Sequence, residues 1–286
     1  MSGPLEGQVA LVTGGSRGIG KGCVLELAAA GATVYLTGRS EREGDAPLPG
    51  TIHATAAEVA AAGGRATALV CDHRDDDAVA RVFSQIDAEQ GRLDVLVNNA
   101  FLIPRQLTSG KPFYETPLSC WDDMIGVGTR SAYVASALAA QRMVPAGRGL
   151  IANISSSGAK KYAWHVAYGV GKAALDRITA DTAHELAPHG VHVVSLWPGL
   201  VLTERVAGNR AQLTGLGKVR GESQRFTGRA VAALAADPNV GEHSGCALAS
   251  REVAERYGFT DIDGTLPDGP LEKRPIPQRP AGSATP

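Results

Sequence analysis

Tyr168 and Lys172 stand four residues apart in Tyr168-Gly169-Val170-Gly171-Lys172, inside a stretch, 167–177, that reads as the start of a helix. A phenol and an ammonium at that spacing share one helix face. Tyrosine keeps its proton at neutral pH, with an ordinary pKa of about 10, and a neighbouring cation favours the phenolate. Bringing the phenol to about 7 takes roughly 4 kcal/mol of differential stabilisation, at about 1.36 kcal/mol per pH unit. A partly buried ammonium, helped by a cationic ring in the site, supplies much of this. The pair is therefore a proton-donor device. The spacing alone is weak evidence, because any helix can carry such a pair, and its meaning rests on what accompanies it.

Far upstream, Thr13-Gly14-Gly15-Ser16-Arg17-Gly18-Ile19-Gly20 follows a candidate strand and opens a candidate helix. Its glycines exceed the needs of a turn and let a diphosphate approach the backbone N–H groups at the helix N-terminus. Gly14, Ser16, Arg17, Gly18 and Gly20 are thus candidate dinucleotide contacts. The second candidate strand ends Leu36-Thr37-Gly38-Arg39-Ser40. A carboxylate there would bond the adenosine ribose of NAD, whereas Arg39, joined by Arg17, suits a 2′-phosphate. NADP(H) is the preferred cofactor on this reading, with NAD(H) as the alternative.

The elements that must position these groups are legible as an alternation. Short apolar runs at 8–13, 33–37, 67–71, 93–98, 150–155, 191–196 and 245–249 read as strands. Between them, alanine-rich segments of helical period fall at 18–30, 55–62, 75–90, 120–144, 166–187 and 223–236. That order predicts an α/β fold: a doubly wound, seven-stranded parallel sheet with helices on both faces, in one domain over 1–264. Gly31, Gly63, Gly91, Gly147 and Gly190 follow five of the helices, at C-cap positions. Loops at 41–50 and 102–119 follow strands, where ligands bind in such sheets. The Pro-rich stretch 265–286 reads as a disordered tail.

Composition narrows the function. With 286 residues and a formal charge of −1, the chain presents no electrostatic case for nucleic acid or an anionic membrane. No apolar run approaches the ~20 residues that a bilayer requires, and residues 1–8 lack a signal pattern, so a soluble cytoplasmic protein is expected. Cys23, Cys71, Cys120 and Cys246 have neither zinc-site nor disulfide-framework spacing. His184, His189 and His192 cluster after the Tyr168 helix without a metal-site pattern, so no metal is expected. His165 reads either as a pocket residue or as a turn.

The glycine loop, Leu96-Val97-Asn98-Asn99-Ala100, the serine run, Tyr168 to Lys172, and Pro198-Gly199 occur in the order found in the short-chain dehydrogenase/reductases. The chain resembles that family from about residue 7 to residue 249. The resemblance implies a Rossmann-type sheet and an NADP(H)-dependent oxidoreductase that interconverts a ketone or aldehyde with an alcohol. Tyr168 would be the general acid and base, and Lys172 would lower its pKa and bind the nicotinamide ribose. In Asn153-Ile154-Ser155-Ser156-Ser157-Gly158 the match along the strand favours Ser156 as the residue holding the substrate oxygen, although counting back from Tyr168 points to Ser155. Asp72 matches the adenine-contacting aspartate, Asn99 an asparagine beside the adenosine half, and Thr203 a threonine that bonds the nicotinamide carboxamide, while Ile19 would pack against the cofactor from the glycine loop. A homodimer or homotetramer, and a small carbonyl or alcohol substrate, are expected by the same analogy.

Two positions depart from the family pattern. Phe101 stands where glycine usually follows Asn-Asn-Ala, which puts a bulky ring at the mouth of the site. Gly128 stands where the family carries an asparagine that helps hold a proton-relaying water. This second departure opens the alternative of a cofactor-binding sensor or scaffold with weak turnover.

Overall fold

The computed structural model describes residues 3–208, 220–269 and 274–275. Its elements alternate as β1 (Val9–Val12), α1 (Gly18–Ala29), β2 (Thr33–Gly38), α2 (Ile52–Ala61), β3 (Arg65–Val70), α3 (Asp76–Gln90) and β4 (Val95–Asn98). A short turn, α4 (Ser119–Trp121), leads through a π-helical stretch (Asp122–Arg130) into α5 (Ser131–Ala146). Then follow β5 (Gly149–Ile154), α6 (Val166–Leu186), β6 (Val191–Trp197), α7 (Glu204–Gly208), α8 (Gln224–Ala236), β7 (Cys246–Ala249), α9 (Ser250–Tyr257) and β8 (Arg274–Pro275).

The sheet order is β3-β2-β1-β4-β5-β6-β7-β8. The first seven strands pair in parallel, as the alternation predicts. Side chains on each strand alternate between two cores. Ala10 and Val12 of β1 pack with Val24 and Leu27 of α1 and Val231 and Leu234 of α8. Val9 and Leu11 face the other way, toward Phe83 and Ile86 of α3 and Ala139 and Met143 of α5. Burial on both faces explains why the strands read as unbroken apolar runs.

Three features differ from the sequence reading. The helix expected over 120–144 is interrupted by the nine-residue π-helical stretch, which contains Gly126 and Gly128. Helical periodicity cannot separate a π-turn from an α-turn over so few residues. The helices α7 and α9 were not foreseen. Within the stretch read as a tail, Arg274 and Pro275 pair antiparallel with Ala247 and Cys246 of β7 and extend the sheet by one short strand. Residues 270–273 and 276–286 of that stretch lie outside the described residues.

Strand order reverses at β1, which has β2 on one side and β4 on the other. In open parallel sheets that is the crevice in which ligands bind, at the carboxyl ends of the strands. The glycine loop leaves β1 there and Asn99 to Phe101 leave β4 there.

Candidate active site

The glycine loop is held by its neighbours. Asn99 Nδ2 donates to the carbonyls of Thr13 and Gly14, both at 2.9 Å. Its backbone N–H donates to Thr13 Oγ1 at 2.9 Å. Asn99 therefore braces the loop from the β4 exit. Gly14 N donates to Thr37 Oγ1 at 3.3 Å, and that hydroxyl also shares a 2.7 Å hydrogen bond with His73 Nε2. Burial pushes His73 down to about 4, which keeps the ring neutral. His73 carried no recognisable signal in the sequence.

This loop fits a dinucleotide. Helix α1 has no acidic residue in its first turn and no side-chain cap. Instead, Gly18, at φ +57°, donates its N–H to the carboxylate of Glu204 at 3.2 Å. An anionic group thus already stands at the positive end of the helix, where a diphosphate would be received. Thr203 borders the same point, its methyl carbon 3.5 Å from where a Cβ on Gly18 would lie. Ser16 is buried and Ile19 is partly buried beside the loop.

The cationic corner lies at the end of β2. Arg17 donates through Nη2 to Ser40 Oγ at 2.8 Å and to Gly50 O at 2.6 Å, and through Nε to Pro49 O at 3.0 Å. Burial, opposed by Glu204 and Glu43, lowers its pKa from the ordinary value. Arg39, next to Ser40, forms an ion pair with Asp72 at 3.5 Å, both side chains being substantially exposed. The loop 41–50 therefore closes on Arg17 and leaves Arg39 and Asp72 open at the rim.

The second half of the site hangs from β5 and α6. His165 is the N-cap of α6, its Nδ1 accepting Ala167 N–H at 3.1 Å, and its Nε2 meets Thr116 Oγ1 at 3.0 Å. It is a capping residue that ties the 102–119 loop to the helix. Just before it, Trp164 holds the left-handed φ of +63°, uncommon for a bulky residue, where the chain turns into α6. One turn further on, Tyr168 and Lys172 face the strand ends as their spacing predicts.

The two candidate serines point apart. Ser155 is buried and donates to the Lys172 carbonyl at 3.2 Å. The Ser156 hydroxyl stands beside the Tyr168 ring, both bordering the space that a Cβ on Gly158 would take, and its Oγ accepts Gly158 N–H at 2.9 Å. Ser156 and Lys172 thus both border Tyr168, while Ser155 turns into the base of α6.

Electrostatics at Tyr168 differ from the expectation. Burial raises its pKa above the ordinary 10.0, and the Ser156 hydroxyl only partly opposes this. The Lys172 charge does not reverse it, because Nζ donates to Ile154 O at 2.8 Å and lies 5.9 Å from the Tyr168 ring centroid. Lys172 itself is pushed down from 10.5 to about 8 by burial, with Asp176 opposing. Asp176, also buried, accepts from Ser195 Oγ at 2.7 Å and from Trp197 Nε1 at 3.1 Å. Below the pair, Asn98 Nδ2 donates to Asn153 Oδ1 at 2.8 Å, and Asn153 Nδ2 to Thr179 Oγ1 at 2.8 Å. Asp176 lies a further helical turn beyond Lys172, a spacing from which its carboxylate could have been anticipated.

Between α7 and α8, residues 209–219 lie outside the described residues. Phe101, expected at the mouth, is turned inward against Tyr168 and Lys172.

Comparison with known proteins defines the class. The family model for short chain dehydrogenases matches residues 8–214, and the chain belongs to that family. It is an oxidoreductase fold acting on CH–OH and C=O groups with a nicotinamide cofactor. The chain is 48% identical over 277 residues to dehydrogenase/reductase SDR family member 1 of Mus musculus, covering 92% of this chain and 86% of the relative. The Homo sapiens protein of the same name is 46% identical over the same coverage. Among solved structures, a metagenomic short-chain oxidoreductase in complex with NADP superposes with a TM-score of 0.68 at 33% identity, over 83% of this chain and 94% of that one.

Proposed function

We propose that the protein is an NADP(H)-dependent reductase of ketones or aldehydes, running in reverse as an alcohol dehydrogenase. The observation that carries this reading is the convergence of Ser156, Tyr168 and Lys172 at the end of β5. The nicotinamide, when bound, supplies or accepts the hydride. The Ser156 hydroxyl would hold the carbonyl oxygen, and Tyr168 would transfer its proton to that oxygen as it gains charge. Lys172 would favour the phenolate and engage the nicotinamide ribose hydroxyls. Gly14, Ser16, Gly18, Ile19 and Gly20 would receive the diphosphate region, with Thr203 at the carboxamide. Asp72 and the Asn99 region would flank the adenosine, and Arg17 and Arg39 would meet a 2′-phosphate. The structural neighbour bound to NADP supports this choice of cofactor. Exposed Phe113, Tyr114 and Leu118 on the loop after β4 favour an apolar substrate.

The test is NADPH oxidation against a panel of carbonyl compounds. Positioned proton transfer is worth about 10²–10⁴-fold, and Tyr168→Phe should lose that much of kcat. A second reading, a cofactor-binding sensor or scaffold, is favoured by Gly128 and by the raised pKa of Tyr168. Tight NADPH binding with no Tyr168-dependent turnover on any carbonyl would establish it instead.

A further inference from the structure

Phe101 is the first residue past the Asn98-Asn99-Ala100 exit of β4, and three groups meet its ring. The Lys172 ammonium lies 4.7 Å from the ring centroid. Tyr168 stands edge-to-face with it, at 5.9 Å between centroids and 77° between planes. On a third side, a Cβ placed on Gly128 would lie 2.5 Å from Phe101 Cδ2 and 2.7 Å from Cε2, closer than atoms pack. The rest of the surround is apolar, formed by Leu107, Cys120, Met124 and Ala167.

Lys172 is 8% exposed, so its three N–H donors have little water to meet. One donates to Ile154 O at 2.8 Å. Tyr168 and Asp176, both on α6, are the titratable groups facing it, and Asp176 gives its oxygens to Ser195 and Trp197. The π-face of Phe101 is therefore a principal partner of the charge. A cation within about 6 Å of an aromatic centroid is attracted by the ring quadrupole, more strongly where water is excluded.

We propose that Phe101 is a positioning residue of this site: its ring holds the Lys172 ammonium dry and in place beside Tyr168, and Gly128 is glycine because the ring fills the room a side chain would need. The inference rests on the acid–base reading of Tyr168 and Lys172 but makes a separate claim. Mere packing in the apolar cluster would be served equally by leucine. A cation-binding role needs an aromatic face.

The experiment uses the full chain and the carbonyl identified in the panel, and records kcat and KM across the pH range around the Lys172 pKa of about 8. Loss of the ring removes a partner that favours the charged amine. Phe101→Leu should therefore lower kcat about tenfold with little change in KM, and move the basic limb of the profile down by roughly half a pH unit or more. Phe101→Tyr, which keeps the ring, should restore most of kcat and the position of the limb. Gly128→Ala should lower kcat about tenfold in the native background and cause no further loss beside Phe101→Ala, because the collision is gone. A readout free of turnover is the NMR titration of the Lys172 side chain, whose ring-current shift should persist in Phe101→Tyr and fall in Phe101→Leu to the part that Tyr168 contributes. A native limb and native Lys172 titration in Phe101→Leu, or equal loss from Gly128→Ala in both backgrounds, overturns the inference. Turnover that survives Tyr168→Phe overturns the acid–base reading beneath it, so the two failures are distinguishable.

Discussion

Arg17 reaches Ser40 and the carbonyls of the 41–50 loop, while Arg39 forms an exposed pair with Asp72. Exposed pairs of this kind are worth ~0–1 kcal/mol, so Arg39 can exchange its partner for a phosphate at little cost. A charge-assisted hydrogen bond contributes about 1.5–3 kcal/mol. Arg39→Ala should accordingly weaken NADPH binding by about 10- to 100-fold and leave NADH binding nearly unchanged. Fluorescence titration with both nucleotides checks this, and an unchanged ratio would remove the 2′-phosphate assignment. Both arginines were readable from sequence because they sit within motifs. Phe101 and Gly128 were each visible as departures, yet their contact was not, because 27 residues separate them in the chain and only the return of the helix to the β4 exit brings them together.

At the scale of elements, Glu222 ties the chain after β6 to the start of α8. Its Oε2 accepts Gly199 N–H at 2.9 Å, its Oε1 accepts the Thr227 hydroxyl at 2.7 Å, and Asp261 holds Ser223 beside it. Burial raises Glu222 from the ordinary 4.5 to about 7. A carboxyl raised in the folded state stabilises fully below its unfolded pKa, and that contribution is lost as pH rises through the folded value. The window is therefore 4.5 to about 7, worth on the order of 3 kcal/mol at about 1.36 kcal/mol per pH unit. Glu222→Gln keeps an acceptor without the charge, so it should lose distinctly less Tm than the native chain between about pH 5 and about pH 8. Thermal melts across that range measure it; parallel losses in both proteins would assign the pH dependence elsewhere. Element boundaries were legible to within a few residues for five helices and seven strands, since apolar runs and helical periods mark them. The π-helical turns at Asp122–Arg130 and the two-residue β8 were not, because neither is long enough to carry a period of its own.

At the scale of the molecule, the site draws Gly14 to Gly20 after β1, Arg39 after β2, Phe101 after β4, Ser156 after β5 and Tyr168 and Lys172 from α6 into one end of the sheet. A dinucleotide spanning those elements binds the folded chain alone, so it should stabilise the whole domain. At 100 times its Kd, NADP⁺ should add about 2.7 kcal/mol, raising Tm by roughly 5–10 °C for a chain of this size. Differential scanning fluorimetry with NADP⁺ measures the rise, and an unmoved Tm at saturating nucleotide would contradict it. Among the described residues, no helix is long and apolar enough to cross a membrane. By itself, the sequence determined the alternation of strands and helices, the glycine loop and the phenol–ammonium pair, because each is written in contiguous residues through period, spacing or backbone freedom. Only the tertiary structure decided that Ser155 turns onto the Lys172 carbonyl, that Phe101 turns inward onto Lys172, and that burial raises the phenol above its ordinary range. Those outcomes depend on side-chain direction and on desolvation by residues distant in the chain.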